Sequence, residues 1–263
     1  MVRGLDIFTM FFAPHSGQYV LIGGTAASLA MTGAGLPFRS TKDLDIVLFE
    51  EILTPEFAKT FWSFVEAGGY EIQESSSGKP IFYRFQKPSD QRFPAMLELF
   101  SRAPSGLELA VGGNLTPISV DDGISSLSAI LLDDDYYEFV MSQRREASGL
   151  SWVGAECLIP LKAKAWLDLS ARRERGGEVD SKTVSKHRND VVRLSQLLIP
   201  AQSVNLAPKI HEHLSLFLGQ LGDDASVDPK TLGLATTLKE IIDRIKQAYG
   251  ASGAGERQLR SST

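Results

Sequence analysis

The first strong pattern along the chain is an apolar run, Tyr-Val-Leu-Ile at 19–22, stopped by Gly23-Gly24 and followed by Thr-Ala-Ala-Ser-Leu-Ala-Met. It predicts a strand, a tight turn and the start of a helix. Gly33 to Pro37 ends that helix, and Asp43 to Phe49 then alternates in the manner of a β-strand. Phe57 to Ala67 predicts a helix. Ile81–Gln86, Ala95–Phe100 and Leu107–Val111 are short strand-like runs between Pro, Ser and Gly clusters, and further strands are expected at Ser126–Leu132 and Tyr137–Met141. From Glu156 onward helical periodicity takes over, in 156–173, 181–198, 207–220 and 231–248. The expected fold class is α+β: a mixed α and β unit over 1–155, a mostly helical part over 156–249, and a Gly- and Ser-rich disordered tail over 250–263. No internal repeat is evident.

Composition narrows the classes of function. With 27 Lys plus Arg against 32 Asp plus Glu the formal charge is −5, which excludes a protein that coats polyanions indiscriminately. Apolar residues make up 43% of the chain, enough for a real core. No run approaches the roughly 18–20 apolar residues of a membrane helix, and no secretory leader pattern opens the chain, so a cytoplasmic protein with no membrane partner is expected. The single cysteine, Cys157, and four scattered histidines provide neither an internal disulfide nor a closed zinc site.

Asp43 and Asp45 stand two apart on a predicted strand, so both carboxylates project from one side. Like charges this close make each other harder to ionise unless a cation lies between them. Mg²⁺ suits the pair, because it prefers oxygen ligands and usually binds one or two carboxylates together with substrate phosphates. Glu98 lies within Ala-Met-Leu-Glu-Leu-Phe, where an unpartnered charge would be costly, and a metal shared with Asp43 and Asp45 would provide a partner. Strand-end aspartates and an edge-strand glutamate are the plainer alternative. The Gly23-Gly24-Thr25 turn favours the functional one: its N–H groups and hydroxyl could approach a triphosphate at a helix N-terminus.

In the 156–173 helix, Leu158, Leu161, Ala165, Trp166 and Leu169 define an apolar face with Lys162 at its centre, whereas Lys164 points away and can pair with Asp168. An inward lysine either snorkels or meets an anion. Further on, Val184, His187, Val191, Leu194 and Leu198 form a core stripe, flanked by Lys186, Asp190 and Arg193. Lys186 could contact phosphate and Asp190 could orient Lys186, Lys162 or an acceptor hydroxyl; a solvated Lys186–Asp190 ion pair is the alternative. His187 reads as a packing residue rather than a base. Arg39 could grip a phosphate or pair with a carboxylate, and with Lys42 it also fits a solvated loop.

The segment from Leu-Ile-Gly-Gly-Thr-Ala-Ala (21–27) to Arg-Ser-Thr-Lys-Asp-Leu-Asp-Ile (39–46) resembles the signature of the DNA polymerase β-type nucleotidyltransferase superfamily. Within it the chain is most similar to the AbiEii-like group, which includes toxins of abortive-infection and toxin–antitoxin systems. The resemblance implies a minimal mixed-sheet nucleotidyltransferase domain with a helical C-terminal part, moving a nucleoside monophosphate from an NTP with Mg²⁺. It places the triphosphate on Gly23, Gly24 and Thr25, the metals on Asp43 and Asp45 with Glu98 as third carboxylate, and a lysine of the helical part, assigned to Lys162, on the nucleotide. The stretch from Lys182 to Leu194 resembles the group's last motif through Lys186 and Asp190, and a basic residue is favoured near Arg39. Some relatives imply a tRNA 3′ end as acceptor and a cognate antitoxin protein as partner. Residues 171–193 carry seven Lys or Arg against four acids, where an RNA backbone could dock, although such a run is also an ordinary solvated face. The competing readings are a small-molecule (antibiotic) nucleotidyltransferase and a nucleotide-sensing or protein-binding module without catalysis.

Overall fold

The computed structural model describes residues 2–49, 52–74, 80–100, 108–109, 113–114, 130–131, 133–199 and 203–250. Its strands are β1 (Tyr19–Ile22), β2 (Asp43–Leu48), β3 (Glu71–Glu74), β4 (Pro80–Gln86), β5 (Met96–Phe100), β6 (Glu108–Leu109), β7 (Gly113–Asn114), β8 (Arg144–Ala147) and β9 (Leu150–Val153). The α-helices are α1 (Leu5–Phe12), α2 (Gly23–Gly33), α3 (Pro55–Gly68), α4 (Asp134–Ser142), α5 (Ala155–Glu174), α6 (Ser181–Leu194), α7 (Pro208–Asp223) and α8 (Leu238–Tyr249). Strands gather in the N-terminal half and helices in the C-terminal half, so the chain is α+β.

Seven strands form one mixed sheet in the order β3-β4-β5-β2-β1-β9-β8, while β6 and β7 pair separately. At its centre β2 runs antiparallel to β1 and parallel to β5. Alternation along these strands divides the core in two. Leu21, Leu44, Ile46, Leu48, Leu97 and Leu99 pack with the aromatic side chains of α1 and α3 on one face. Val20, Ile22, Val47 and Phe100 face the other way, into a cluster that includes residues of α2 and α4 to α8. Ala155, Leu158 and Leu161 belong to that same cluster, so the 1–155 and 156–249 portions share a core. Among the described residues no helix is long and apolar enough to cross a membrane.

Local chemistry accounts for most boundaries. For α3, the Thr54 hydroxyl accepts from the Phe57 N–H, Pro55 occupies the first turn, and Gly69 ends the helix at φ +58°. The strand expected at Tyr137–Met141 is instead part of α4. Its Tyr-Tyr-Glu-Phe-Val run has β-propensity, but the Asp133 side chain caps the Asp135 N–H, and Asp134 and Asp135 favour the helix N-terminus. The helix buries Tyr136, Tyr137 and Val140 on one face.

The helix expected from 231 begins at Leu238, where Thr237 and Glu240 form a capping box; Pro229–Leu232 is a short 3₁₀ turn ended by Gly233. The β8–β9 hairpin and α1 escaped the periodicity reading. The hairpin turns on Ser148 and Gly149, both with positive φ, and all four residues of β8 are exposed. Most of Ser126–Leu132, most of Leu107–Val111, and residues 251–263 lie outside the described residues.

Candidate active site

The strand register assembles the carboxylates. Asp45 stands opposite Glu98 across the parallel β2–β5 pair, and Asp43 precedes Asp45 by two on the same face. They share the sheet face of Val47 and Phe100, the face on which the C-terminal helices pack. Burial, then the Glu98 and Asp43 charges, raise the Asp45 carboxyl from its ordinary value to about 7. Glu98 is buried, and both of its bonds from Arg84 reach Oε1, the one from Nε at 2.8 Å. The partner that Glu98 required is thus provided in part by an arginine.

The glycine turn closes on the same group. β1 ends at Ile22, paired with Asp45, and Gly23 follows at φ +63°. A Cβ on Gly23 would sit 1.8 Å from Asp45 Oδ2, and one on Gly24 would sit 2.8 Å from Thr41 Oγ1. Only glycine at 23 combines the left-handed backbone with this approach. The Gly24 N–H lies near the Asp45 carboxylate and favours its charged form, so the N-terminus of α2 is turned toward the acidic cluster. Thr25 departs from expectation: it is fully buried, and its hydroxyl donates to the Asp43 carbonyl at 2.8 Å. It anchors the start of β2 rather than lining the cavity.

The helical half brings cations to the opposite wall. Lys162 is only 5% exposed and donates from Nζ to Asp190 Oδ2 at 2.9 Å. Asp190, 1% exposed, also takes a bidentate pair from Arg39, Nε to Oδ1 at 3.0 Å and Nη2 to Oδ2 at 2.7 Å. Although burial opposes it, the Lys162 and Arg39 charges and bonds hold the Asp190 carboxyl well below the usual carboxylate range. The anion that Lys162 meets is therefore Asp190. The alternative Lys186–Asp190 ion pair is not formed, and Lys186 makes no ion pair with another described residue. Its ammonium is held below the ordinary lysine value by burial and by the Arg39 and Lys162 charges. Lys164 pairs with Asp168, as expected.

Between the walls lies a cavity of about 240 Å³. Of the candidate residues, Gly23, Gly24, Arg39, Asp43, Asp45, Glu98, Lys162 and Lys186 line it; Thr25 does not, and Asp190 acts from behind Lys162 and Arg39. Thr41, Met96, Thr183 and Leu169 also line it and were not singled out for the site by sequence. Thr41 is two residues from both Arg39 and Asp43, which is the signal that could have found it. His187, read as a packing residue, lines the cavity as well, and burial followed by the Lys162 charge lowers it to about 3, leaving it neutral.

Oxygen-only donors, crowded until one resists ionisation, fit Mg²⁺ by their chemistry. Among the described residues no group of three or more His, Cys, Asp or Glu side chains is placed to hold a metal ion. Mg²⁺ does not need one, since waters and substrate phosphates commonly complete its shell. The chain matches no known family model, no curated protein and no solved structure.

Proposed function

We propose that the chain is a Mg²⁺-dependent nucleotidyltransferase that moves a nucleoside monophosphate from an NTP to an acceptor hydroxyl. The observation that carries this reading is a single cavity lined by both sets of groups, the carboxylates with the glycine turn and the cations Lys162, Arg39 and Lys186. Asp43 and Asp45, with Glu98 beside them, are the residues that would hold Mg²⁺. When bound, the metal would neutralise phosphate charge and make the acceptor hydroxyl more acidic.

The remaining roles belong to the chain. Lys186, without an ion pair to another described residue, is the cation best placed to take up phosphate charge. Asp190 holds the Lys162 ammonium in the cavity wall, so no side-chain search is needed when a polyanion arrives. The acceptor hydroxyl oxygen bonds to the α-phosphorus and gives up its proton to water, the bond from that phosphorus to the α,β-bridging oxygen breaks, and pyrophosphate leaves with the electron pair. For the acceptor, the exposed Arg172, Arg173, Arg175 and Lys182 beside the cavity residues Leu169 and Thr183 favour an RNA end. Incubation of the protein with labelled NTPs, Mg²⁺ and total RNA is expected to label RNA, and Asp45→Ala to abolish the signal. Equal labelling by wild type and variant would refute the proposal.

A further inference from the structure

His187 presents an unusual combination. Its ring lines the cavity, its Nδ1 is enclosed by protein without a hydrogen-bond partner, and Nε2 bonds to no other described residue. A histidine that only packs gains from having one nitrogen bonded to protein, and here Nδ1 is enclosed and unpaired while Nε2 is not so enclosed. Its surroundings fix its protonation. Burial first, then the Lys162, Lys186 and Arg39 charges against that of Asp190, disfavour a further positive charge, so the ring is neutral at physiological pH. With no acceptor near Nδ1, a proton there would be stranded, while its lone pair is favoured by the surrounding cations. The proton therefore belongs on Nε2, which makes His187 a neutral N–H donor.

Helix geometry says what that donor meets. A short connection joins α5 to α6, and Lys162 on α5 pairs with Asp190 on α6, so the two helices run antiparallel. Leu169 lies seven residues beyond Lys162, and Thr183 seven before Asp190; both are therefore about 10 Å along the hairpin from the ion pair, and both line the cavity. His187 is three residues before Asp190, about 4–5 Å along. A nucleotide with its phosphates between the carboxylates and Lys162 extends outward in that order. Its sugar would then lie at His187, and its base at Leu169 and Thr183, an apolar surface beside a hydroxyl.

We infer that His187 is a specificity-determining residue that donates one hydrogen bond from Nε2 to a ribose hydroxyl of the nucleotide, so that the site selects ribonucleotides over deoxyribonucleotides. This rests on the nucleotide reading of the cavity and adds the sugar class to it.

The test is calorimetric titration of the full chain, with Mg²⁺, using the four NTPs and their 2′-deoxy and 3′-deoxy counterparts. The wild type is expected to bind its preferred NTP roughly tenfold more tightly than at least one of the two deoxy forms. His187→Phe should bind all three forms alike, and His187→Gln, whose amide places an N–H near the position of Nε2, should retain a preference. In ¹⁵N spectra of the wild type, the His187 Nε2 resonance should move with the NTP and not with the discriminated deoxy form. Equal wild-type binding of the NTP and both deoxy forms, or an undiminished preference in His187→Phe, overturns the assignment of His187 and leaves the nucleotide site standing. Failure of every nucleotide to bind overturns both.

Discussion

Removing the Asp190 carboxylate should destabilise the protein chiefly through Lys162. In Asp190→Ala two cations lose their anion at once, but they differ in what replaces it. Arg39 is 25% exposed and can rehydrate, whereas Lys162 at 5% cannot. Breaking a buried pair by deleting one partner costs about 3–5 kcal/mol, most of it from the charge left behind. For a chain of this size that lowers Tm by about 6–20 °C. In Asp190→Ala/Lys162→Met the stranded ammonium is gone, and at least half of the loss should return. Lys162→Met alone leaves Asp190 its bidentate Arg39 and should cost less than Asp190→Ala. The pH dependence adds a check. The folded Asp190 carboxyl lies below its ordinary value of 3.8, so its contribution is complete above that value and is lost as pH falls through the folded one. The gap in Tm between wild type and Asp190→Ala should therefore be constant from pH 8 to 5 and narrow only in strong acid. Thermal unfolding of the four proteins decides the matter: a double variant as unstable as the two single losses added together would show that no charge was stranded, and the argument would fail.

Other outcomes follow from the same geometry. Asp45, raised from 3.8 to about 7, binds a proton in the folded protein that the unfolded chain has released, so stability should fall as pH rises through that window. Asp45→Asn should flatten the fall in EDTA, and at pH 8 Mg²⁺ should raise the Tm of the wild type but not of the variant; parallel slopes would contradict this. His187 is lowered from 6.5 to about 3, so its contribution is present above 6.5 and is lost as pH falls toward 3; His187→Gln should soften that acid limb in denaturant titrations. Gly23→Ala should cost about 1–2 kcal/mol in backbone strain alone and also weaken nucleotide binding, because its Cβ would displace Asp45. Gly24→Ala, which crowds the Thr41 hydroxyl and otherwise makes ordinary contacts with Arg39 Nη2 and Thr41 Cβ at 3.5 Å, should be milder, and similar unfolding midpoints for the two would count against the glycine argument.

What was legible in the sequence was local. The run β1, Gly23-Gly24, α2 and β2 follows from apolar runs, a glycine stop and alternation, each within a few residues, and Lys162 followed from the helical period. The strand expected at Tyr137–Met141 shows the converse: aromatic β-propensity outweighed the Asp133 cap in the reading and not in the fold. The hairpin strand Arg144–Ala147 was missed because all four residues are exposed, leaving no alternation to detect. Partners distant along the chain left no trace either. Nothing near Glu98 announces Arg84, whose position opposite it depends on the β4–β5 register. Thr25 carried the right chemistry for a phosphate contact, but its hydroxyl turned toward the Asp43 carbonyl, a choice set by how β2 lies beside α2.

The Arg39–Asp190 pair spans 151 residues. On a translating ribosome, at about 5–20 residues per second, Asp190 is made roughly 8–30 s after Arg39. Late in that interval the nascent chain has gained the acidic strands and Lys162, but Lys162 and Arg39 still lack the carboxylate that holds them. The cavity is complete only after the α5–α6 hairpin has been made. Assembly order thereby restrains the activity proposed here until synthesis is well advanced.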